Sequence, residues 1–498
     1  MLNKRASGVL MHISSLPGDT GIGTLGKSAY DFVDYLKRSA QSYWQILPVC
    51  PTSFGDSPYQ SFSTFAGNPY FIDLDILCSQ GFLQKADYDS IDWGNDPTCV
   101  DYALLYKNRF TLFNKLYDNF KQKIPDDYNS FCETNAFWLD DYALFMAIKD
   151  AHGGISFNHW EKEIRCREPQ ALASWKEKTV ERVQLYKMIQ YFFFKQWFEL
   201  KNYANKNGIK IIGDIPIYVA ADSADVWASP ELFCLDENSN PVEIAGCPPD
   251  GFSAIGQLWG NPVYNWDYMR AHHYEWWCTR LEKNLKTYDV LRIDHFRGFE
   301  SYYCIPYGAS TAANGQWRKG PGLELFNVFK QKVPEPSVIA EDLGFLTDNV
   351  RAMLKDSGFP GMKVLQFAFD SRETNDYLPC HFTPNSVVYT GTHDNDTILG
   401  WTESAPANDV AYSMKYLRVS TKQDVVKGMM TAALSSISNT CILTMQDIAC
   451  LGSEARMNTP STVGKNWRWR IRKDQLTQES SDFLRTSTTL YGRTNVDK

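Results

Sequence analysis

The chain has 498 residues, 44% of them hydrophobic and 14% aromatic, with a formal net charge of −8 at pH 7. Such a length can bury a large core, and the acidic balance excludes the basic footprint of a nucleic-acid binder. No run of about 18 apolar residues is present to span a bilayer, so no membrane partner is expected. The opening stretch "MLNKRASGVLMHISS" closes its short apolar segment with serines. It is not read as a secretory signal, and a cytoplasmic protein is expected. Twelve cysteines scatter from Cys50 to Cys450 without a C-x2-C or C-x4-C pair. That spacing predicts small buried side chains, with neither a zinc site nor a disulfide framework. Fifteen Trp and 27 Tyr are more than core filling usually needs, and stacking on sugars is one use for rings with a polar tip.

Eight β-rich runs recur along the chain, at 8–15, 43–49, 209–219, 289–294, 337–342, 362–369, 386–394 and 441–447. Most are continuous apolar runs, the pattern of parallel strands covered on both faces. Helical patterns follow the first strand at 27–40, the fourth at 323–332 and the fifth at 348–358. This is the rhythm of a (β/α)8 TIM barrel. Two connections are too long for simple crossovers. Residues 52–208, with the helix-like aromatic stretch 185–200, and residues 220–288, rich in Gly, Pro and Asn, are read as large insertions over the C-terminal face. One catalytic barrel domain over 1–498 is predicted. About 50 residues follow the last strand, too few for a separate C-terminal β-domain. An open doubly wound sheet is the alternative, but "SSLPGDTGIGTLG" lacks the G-x-G-x-x-G spacing of a phosphate-binding turn.

Barrel chemistry sits at the C-terminal strand ends, and these ends are acidic: Asp214, Asp294, Glu341 with Asp342, Asp394 and Asp447. Any one of them alone is as readily a helix cap. Several on one rim repel each other and call for a function. Two carboxylates flanking a bond are what glycosidic chemistry requires. Arg292 lies two residues before Asp294, on the same strand face, where its guanidinium can aim that carboxylate and keep it ionised. Glu341 has no basic sequence neighbour, as suits an acid that keeps its proton near neutral pH.

"RIDHFRG" (292–298), "IAEDLG" (339–344) and "GTHDNDT" (391–397) resemble, in this order, the amylomaltases, the 4-α-glucanotransferases of glycoside hydrolase family 77. Blocks at 42–75, 213–227, 248–266, 358–369 and 453–470 are similar to the same family, so the likeness spans nearly the whole chain. It implies a transferase that moves a segment of an α-1,4-glucan, such as a maltooligosaccharide or amylose, to glucose or another glucan by retaining double displacement. Asp294 matches the nucleophile, Glu341 the general acid and base, and Asp394 the third carboxylate. Arg292 matches the arginine that orients the nucleophile, and Asp214 and His393 match residues that bind sugar hydroxyls. Tyr59 resembles a tyrosine stacking near the cleaved bond, Trp259 a tryptophan of the acceptor-side loop 248–266, and Phe367 a wall of the same cleft. His295 and Arg297 are assigned structural roles behind the nucleophile. Gly251 and Ser461 depart from the family pattern, which has a bulkier residue and a glycine there. No cofactor and no metal are expected, and the sequence has no D-x-D-x-D-G calcium loop. The rivals are an α-1,4-glucan hydrolase with the same carboxylates and a glucan-binding protein without catalysis.

Overall fold

Apolar runs that are buried on both faces pair side by side, and here all eight do so in one parallel sheet. The computed structural model describes residues 2–249, 255–344, 346–372 and 375–494. In chain order its strands are β1 (Ala6–Leu10), β2 (Tyr43–Gln45), β3 (Lys210–Pro216), β4 (Glu243–Cys247), β5 (Gln257–Pro262), β6 (Val290–Asp294), β7 (Ser301–Pro306), β8 (Gln316–Lys319), β9 (Val338–Ala340), β10 (Gly361–Val364), β11 (Ser386–Tyr389) and β12 (Thr440–Thr444). The large sheet runs β10-β11-β12-β1-β2-β3-β6-β9. Its two outer strands meet. The Ala340 N–H donates to the Pro360 carbonyl at 3.0 Å, and the Met362 N–H donates to Asp342 Oδ1 at 2.6 Å. The sheet is thereby drawn into a barrel, and no doubly wound open sheet forms. Gly361 is required at this seam, because a Cβ there would stand 2.6 Å from Asp342 Oδ2.

Alternation along each strand separates two cores. Leu10, Tyr43, Ile212, Val290, Ile339, Val364, Val387 and Ile442 fill the barrel interior. Val9, Trp44, Ile211, Leu291, Val338, Val388 and Cys441 face outward into the layer shared with the helices. The helix Lys27–Arg38 follows β1, Leu323–Lys332 precedes β9, and Asp348–Ser357 follows it. The last shows both of its sequence signals. Thr347 caps its start, accepting from the Val350 N–H at 3.4 Å, and Gly358 ends it in the left-handed region at φ 72°.

The long connections differ from the sequence reading. The stretch 185–200 belongs to the helix Val180–Lys206, which packs on β3 and on Lys27–Arg38 and so is the barrel's own crossover. Glu275–Thr287 packs likewise on β6. Both were hidden inside segments whose length pointed to insertion. A second sheet, antiparallel in the order β5-β4-β7-β8, was not anticipated. It joins part of 220–288 to residues that directly follow β6. Several strands are shorter than predicted, because apolar residues beyond their ends pack as turns. Asp214 lies inside β3, while Asp394 comes after β11 and Asp447 sits in the short helix Met445–Ile448. Among the described residues no helix is long and apolar enough to cross a membrane.

Candidate active site

The register of the barrel builds the first cluster. Asp214 on β3 is directly opposite Arg292 on β6, and alternation turns both side chains inward. Arg292 Nη1 donates to Asp214 Oδ1 at 2.8 Å and to Oδ2 at 2.7 Å. Its Nη2 stands 2.9 Å from Asp294 Oδ1, and its Nε–H is directed at Met362 Sδ, 3.4 Å away. One planar guanidinium therefore serves two carboxylates. Asp214 and Arg292 are almost wholly buried, whereas the Asp294 side chain is 30% exposed and opens toward the cleft.

Glu341 continues the inward-facing series of β9. Arg292 pairs with Ile339 and Ile293 with Ala340, so one further step in register sets Glu341 beside Asp294. Its own N–H donates to the Ile293 carbonyl at 3.0 Å. Both carboxyl oxygens are positioned by backbone donors, His295 N–H to Oε2 and Leu343 N–H to Oε1, each at 2.7 Å. His295 reaches this position by a left-handed turn at φ 54°. Burial, together with the adjacent Asp294 charge, pushes the Glu341 carboxyl up to about 8. Burial raises Asp294 as well, and Arg292 opposes that rise. Of the two, Glu341 holds the proton, since only Asp294 has a cation in contact.

Asp394 is held by the segment after β12. Asn458 Nδ2 donates to Asp394 Oδ1 at 2.6 Å, and Arg456 Nη2 donates to the Asp394 carbonyl at 2.7 Å. His393 Nε2 is 3.4 Å from Asp394 Oδ2. The Tyr59 ring stacks on His393 with centroids 5.1 Å apart, and its hydroxyl donates to Asp214 Oδ2 at 2.8 Å. Trp467 leans on both rings.

Tyr59, Trp259, Asp294, His393 and Asp394 wall one open cleft of about 580 Å3. Glu341 is 9% exposed and lies behind the His295 turn. Trp259 is fixed on β5 by its indole N–H to Gln257 Oε1 at 3.0 Å and by Gln60 Nε2 to its carbonyl at 3.1 Å. Its ring meets His295 edge to face at 4.8 Å. Phe367, in the short 3-10 helix Leu365–Phe369 that follows β10, packs edge to face on Tyr377 and, like Tyr59, against the barrel-interior cluster. The His295 N–H donates to Glu341 and its ring meets Trp259, and the Arg297 guanidinium lies 4.1 Å over the Trp317 ring. Asp342 closes the barrel. Asp447 accepts from the Ile398 N–H and the Thr390 hydroxyl, so it too is a structural carboxylate.

Gln60, Asn458 and Trp467 also line the cleft, and the sequence reading did not single them out. Their blocks were visible, but nothing local marked which side chains turn inward. Ser461 adopts φ 63°, the region glycine occupies at least cost, which is the physical content of its departure from the family pattern. Gly251 lies outside the described residues. Among the described residues no group of three His, Cys, Asp or Glu side chains is arranged to hold a metal.

The profile of glycoside hydrolase family 77, described as 4-alpha-glucanotransferase, matches residues 11–477. A 4-alpha-glucanotransferase of Streptococcus pneumoniae is 50% identical over 499 residues, covering 99% of this chain and 98% of that one. One from Clostridium butyricum is 49% identical over 485 residues, covering 97% of this chain and all of that one. Among solved structures, an amylomaltase from Streptococcus agalactiae in complex with acarbose superposes with a TM-score of 0.97 at 46% identity, covering 99% of this chain and 100% of that one.

Proposed function

The chain belongs to the 4-alpha-glucanotransferases of glycoside hydrolase family 77, and from that membership we propose that Asp294, Glu341 and Asp394 transfer a segment of an α-1,4-glucan to glucose or to another α-1,4-glucan. Asp294 attacks the anomeric carbon as the glycosidic C–O bond breaks, and Glu341 gives its proton to the departing 4-oxygen. The acceptor's 4-hydroxyl then returns a proton to Glu341 and attacks the same carbon, releasing Asp294. Two inversions retain the α configuration, and no oxidant, reductant or cofactor enters the balance. Asp394, aimed by Asn458, stabilises the positive charge that develops on the sugar ring. Tyr59 and His393 orient the transferred sugar, Asp214 fixes Tyr59 and Arg292 from beneath, and Arg292 keeps Asp294 ionised.

The observation that carries this reading is the contrast between two neighbouring carboxyls, Asp294 in contact with Arg292 and Glu341 buried with backbone donors alone, the setting that pushes the Glu341 carboxyl up. Their places on adjacent strands also fit, since strands lie about 4.8 Å apart and retaining pairs stand about 5–5.5 Å apart. Outside the crossover helices Val180–Lys206 and Glu275–Thr287, the segments 52–208 and 220–288 are read as insertions that elaborate a single barrel domain.

Incubation with maltotriose tests the assignment. A transferase yields glucose together with longer oligomers while the number of reducing ends stays constant. A hydrolase with the same carboxylates raises that number from the first time point, and a binding protein changes nothing.

A further inference from the structure

Beside His393 lies a small, partly open pocket of about 20 Å3 among Met11, His12, Ser15, Thr392, His393 and Gln446. That volume admits one water and little else. Two polar groups on its wall ask for a partner. Ser15 is fully buried, and its Oγ has no hydrogen bond. His12 accepts the Leu47 N–H through Nδ1 at 3.3 Å, which leaves its proton on Nε2. Burial, with His393 nearby, lowers the His12 pKa to about 3, so this neutral tautomer persists at working pH. No hydrogen bond of the described residues uses its Nε2–H. A buried hydroxyl such as that of Ser15, left unpaired, would cost about 1–3 kcal/mol.

We propose that His12 and Ser15 hold a single water in this cavity, and that the water donates to His393 Nδ1, fixing His393 as an Nε2–H donor at the sugar-binding face. The geometry supports the direction of each bond. Nε2 is the edge of His393 near Asp394, so Nδ1 is the edge left for the cavity. A water that accepts both the His12 Nε2–H and the Ser15 hydroxyl hydrogen still has its own hydrogens to give, one of them to His393 Nδ1. His12 is then a positioning residue. It never touches the sugar, but it decides which nitrogen of His393 carries the proton, as an outer partner does for a histidine bound to a metal. The inference rests on the proposed role of His393 in binding the transferred sugar.

The test uses the full chain with 15N-labelled histidine, of which there are eight. Histidine ring 15N shifts report the tautomer of His393, and a high-resolution crystal structure reports the water. In wild type we expect one water in contact with all three residues and His393 protonated on Nε2. His12→Asn keeps an acceptor where Nδ1 was and removes the Nε2 donor, so His393 should become a mixture of tautomers and kcat/KM on maltotriose should fall about tenfold. His12→Gln restores an amide donor at the Nε2 position and should recover most of that loss. Ser15→Ala is the milder variant should His12→Asn fold poorly, and it should shift the tautomer in the same direction. A cavity without water, or a His393 tautomer unchanged in both His12→Asn and Ser15→Ala, overturns the inference. His393→Ala tests the underlying reading separately, because full activity in that variant would remove His393 from sugar binding whatever its tautomer.

Discussion

Arg292 meets the Asp294 carboxylate through Nη2 at 2.9 Å, from two residues earlier on the same inward face of β6. The same guanidinium gives Nη1 to Asp214, so its planar shape does what a point charge cannot. Lysine carries the charge but not the fork. Arg292→Lys is expected to lower kcat on maltotriose about 100-fold. Arg292→Ala leaves two inward carboxylates without a cation and should also cost about 3–5 kcal/mol of stability. Transfer assays and thermal melts on both variants check this, and a lysine variant within about threefold of wild type would show the fork to be dispensable.

Replacing Asp294 with Asn keeps the shape and removes the nucleophile. Transfer should vanish while glucan binding and the melting temperature remain. Glu341→Gln should fail on natural glucans but recover partly on α-maltosyl fluoride, whose leaving group needs no proton. Equal losses on both donors would take the acid role away from Glu341.

The raised Glu341 carboxyl fixes the sign of the alkaline pH dependence. An acid in its protonated form is competent below its pKa, so kcat/KM on maltooligosaccharides should decline as pH rises through about 8. The glycosylation step with α-maltosyl fluoride should lack that decline, because it does not draw on the proton. A maltotriose profile flat to pH 9.5 would contradict the assignment.

The barrel was legible because parallel strands covered on both faces are dominated by continuous apolar runs, as Cys441–Leu443 of the wholly buried β12 is. The carboxylates were legible because strands end where chemistry can reach them. Asp342 and Asp447 have the same local signature as Glu341 and Asp294, and only their partners, the Met362 and Ile398 N–H groups, separate structure from chemistry. The antiparallel sheet escaped notice for another reason. All four residues of β8 are exposed, and a register shift between Ile244 and Gly246 breaks the alternation of β4. Asn458 reaches Asp394 across 64 residues of sequence, a contact no local pattern encodes.

That contact yields its own prediction. Asn458 donates to one oxygen of Asp394 and leaves the other near His393. Asn458→Asp would set two carboxylates against each other, favouring a proton on one of them and weakening stabilisation of the positive ring. Its kcat should fall more than Asn458→Ala does, and both should melt close to wild type because Asn458 is not part of the core. The order Ala above Asp in kcat is the measurement that matters, and the reverse order would mean that Asn458 does not aim Asp394.

Transfer over hydrolysis is decided after Asp294 carries the sugar. Water at roughly 55 M then competes with a dilute acceptor, so the acceptor must be favoured by binding and by exclusion of water. Trp259 walls the cleft, its ring is held in advance by Gln257 and His295, and its backbone is held by Gln60. A ring already held loses little freedom when a sugar stacks on it, so the contact adds to acceptor binding nearly in full. Trp259→Ala should raise the acceptor KM about three- to tenfold and lower the ratio of longer oligomers to new reducing ends on maltotriose. Glucose, oligomers and reducing ends measured in one time course report both quantities. If ratio and acceptor KM stay at wild-type values, Trp259 acts as packing against His295, and the selectivity for transfer resides elsewhere on the cleft wall.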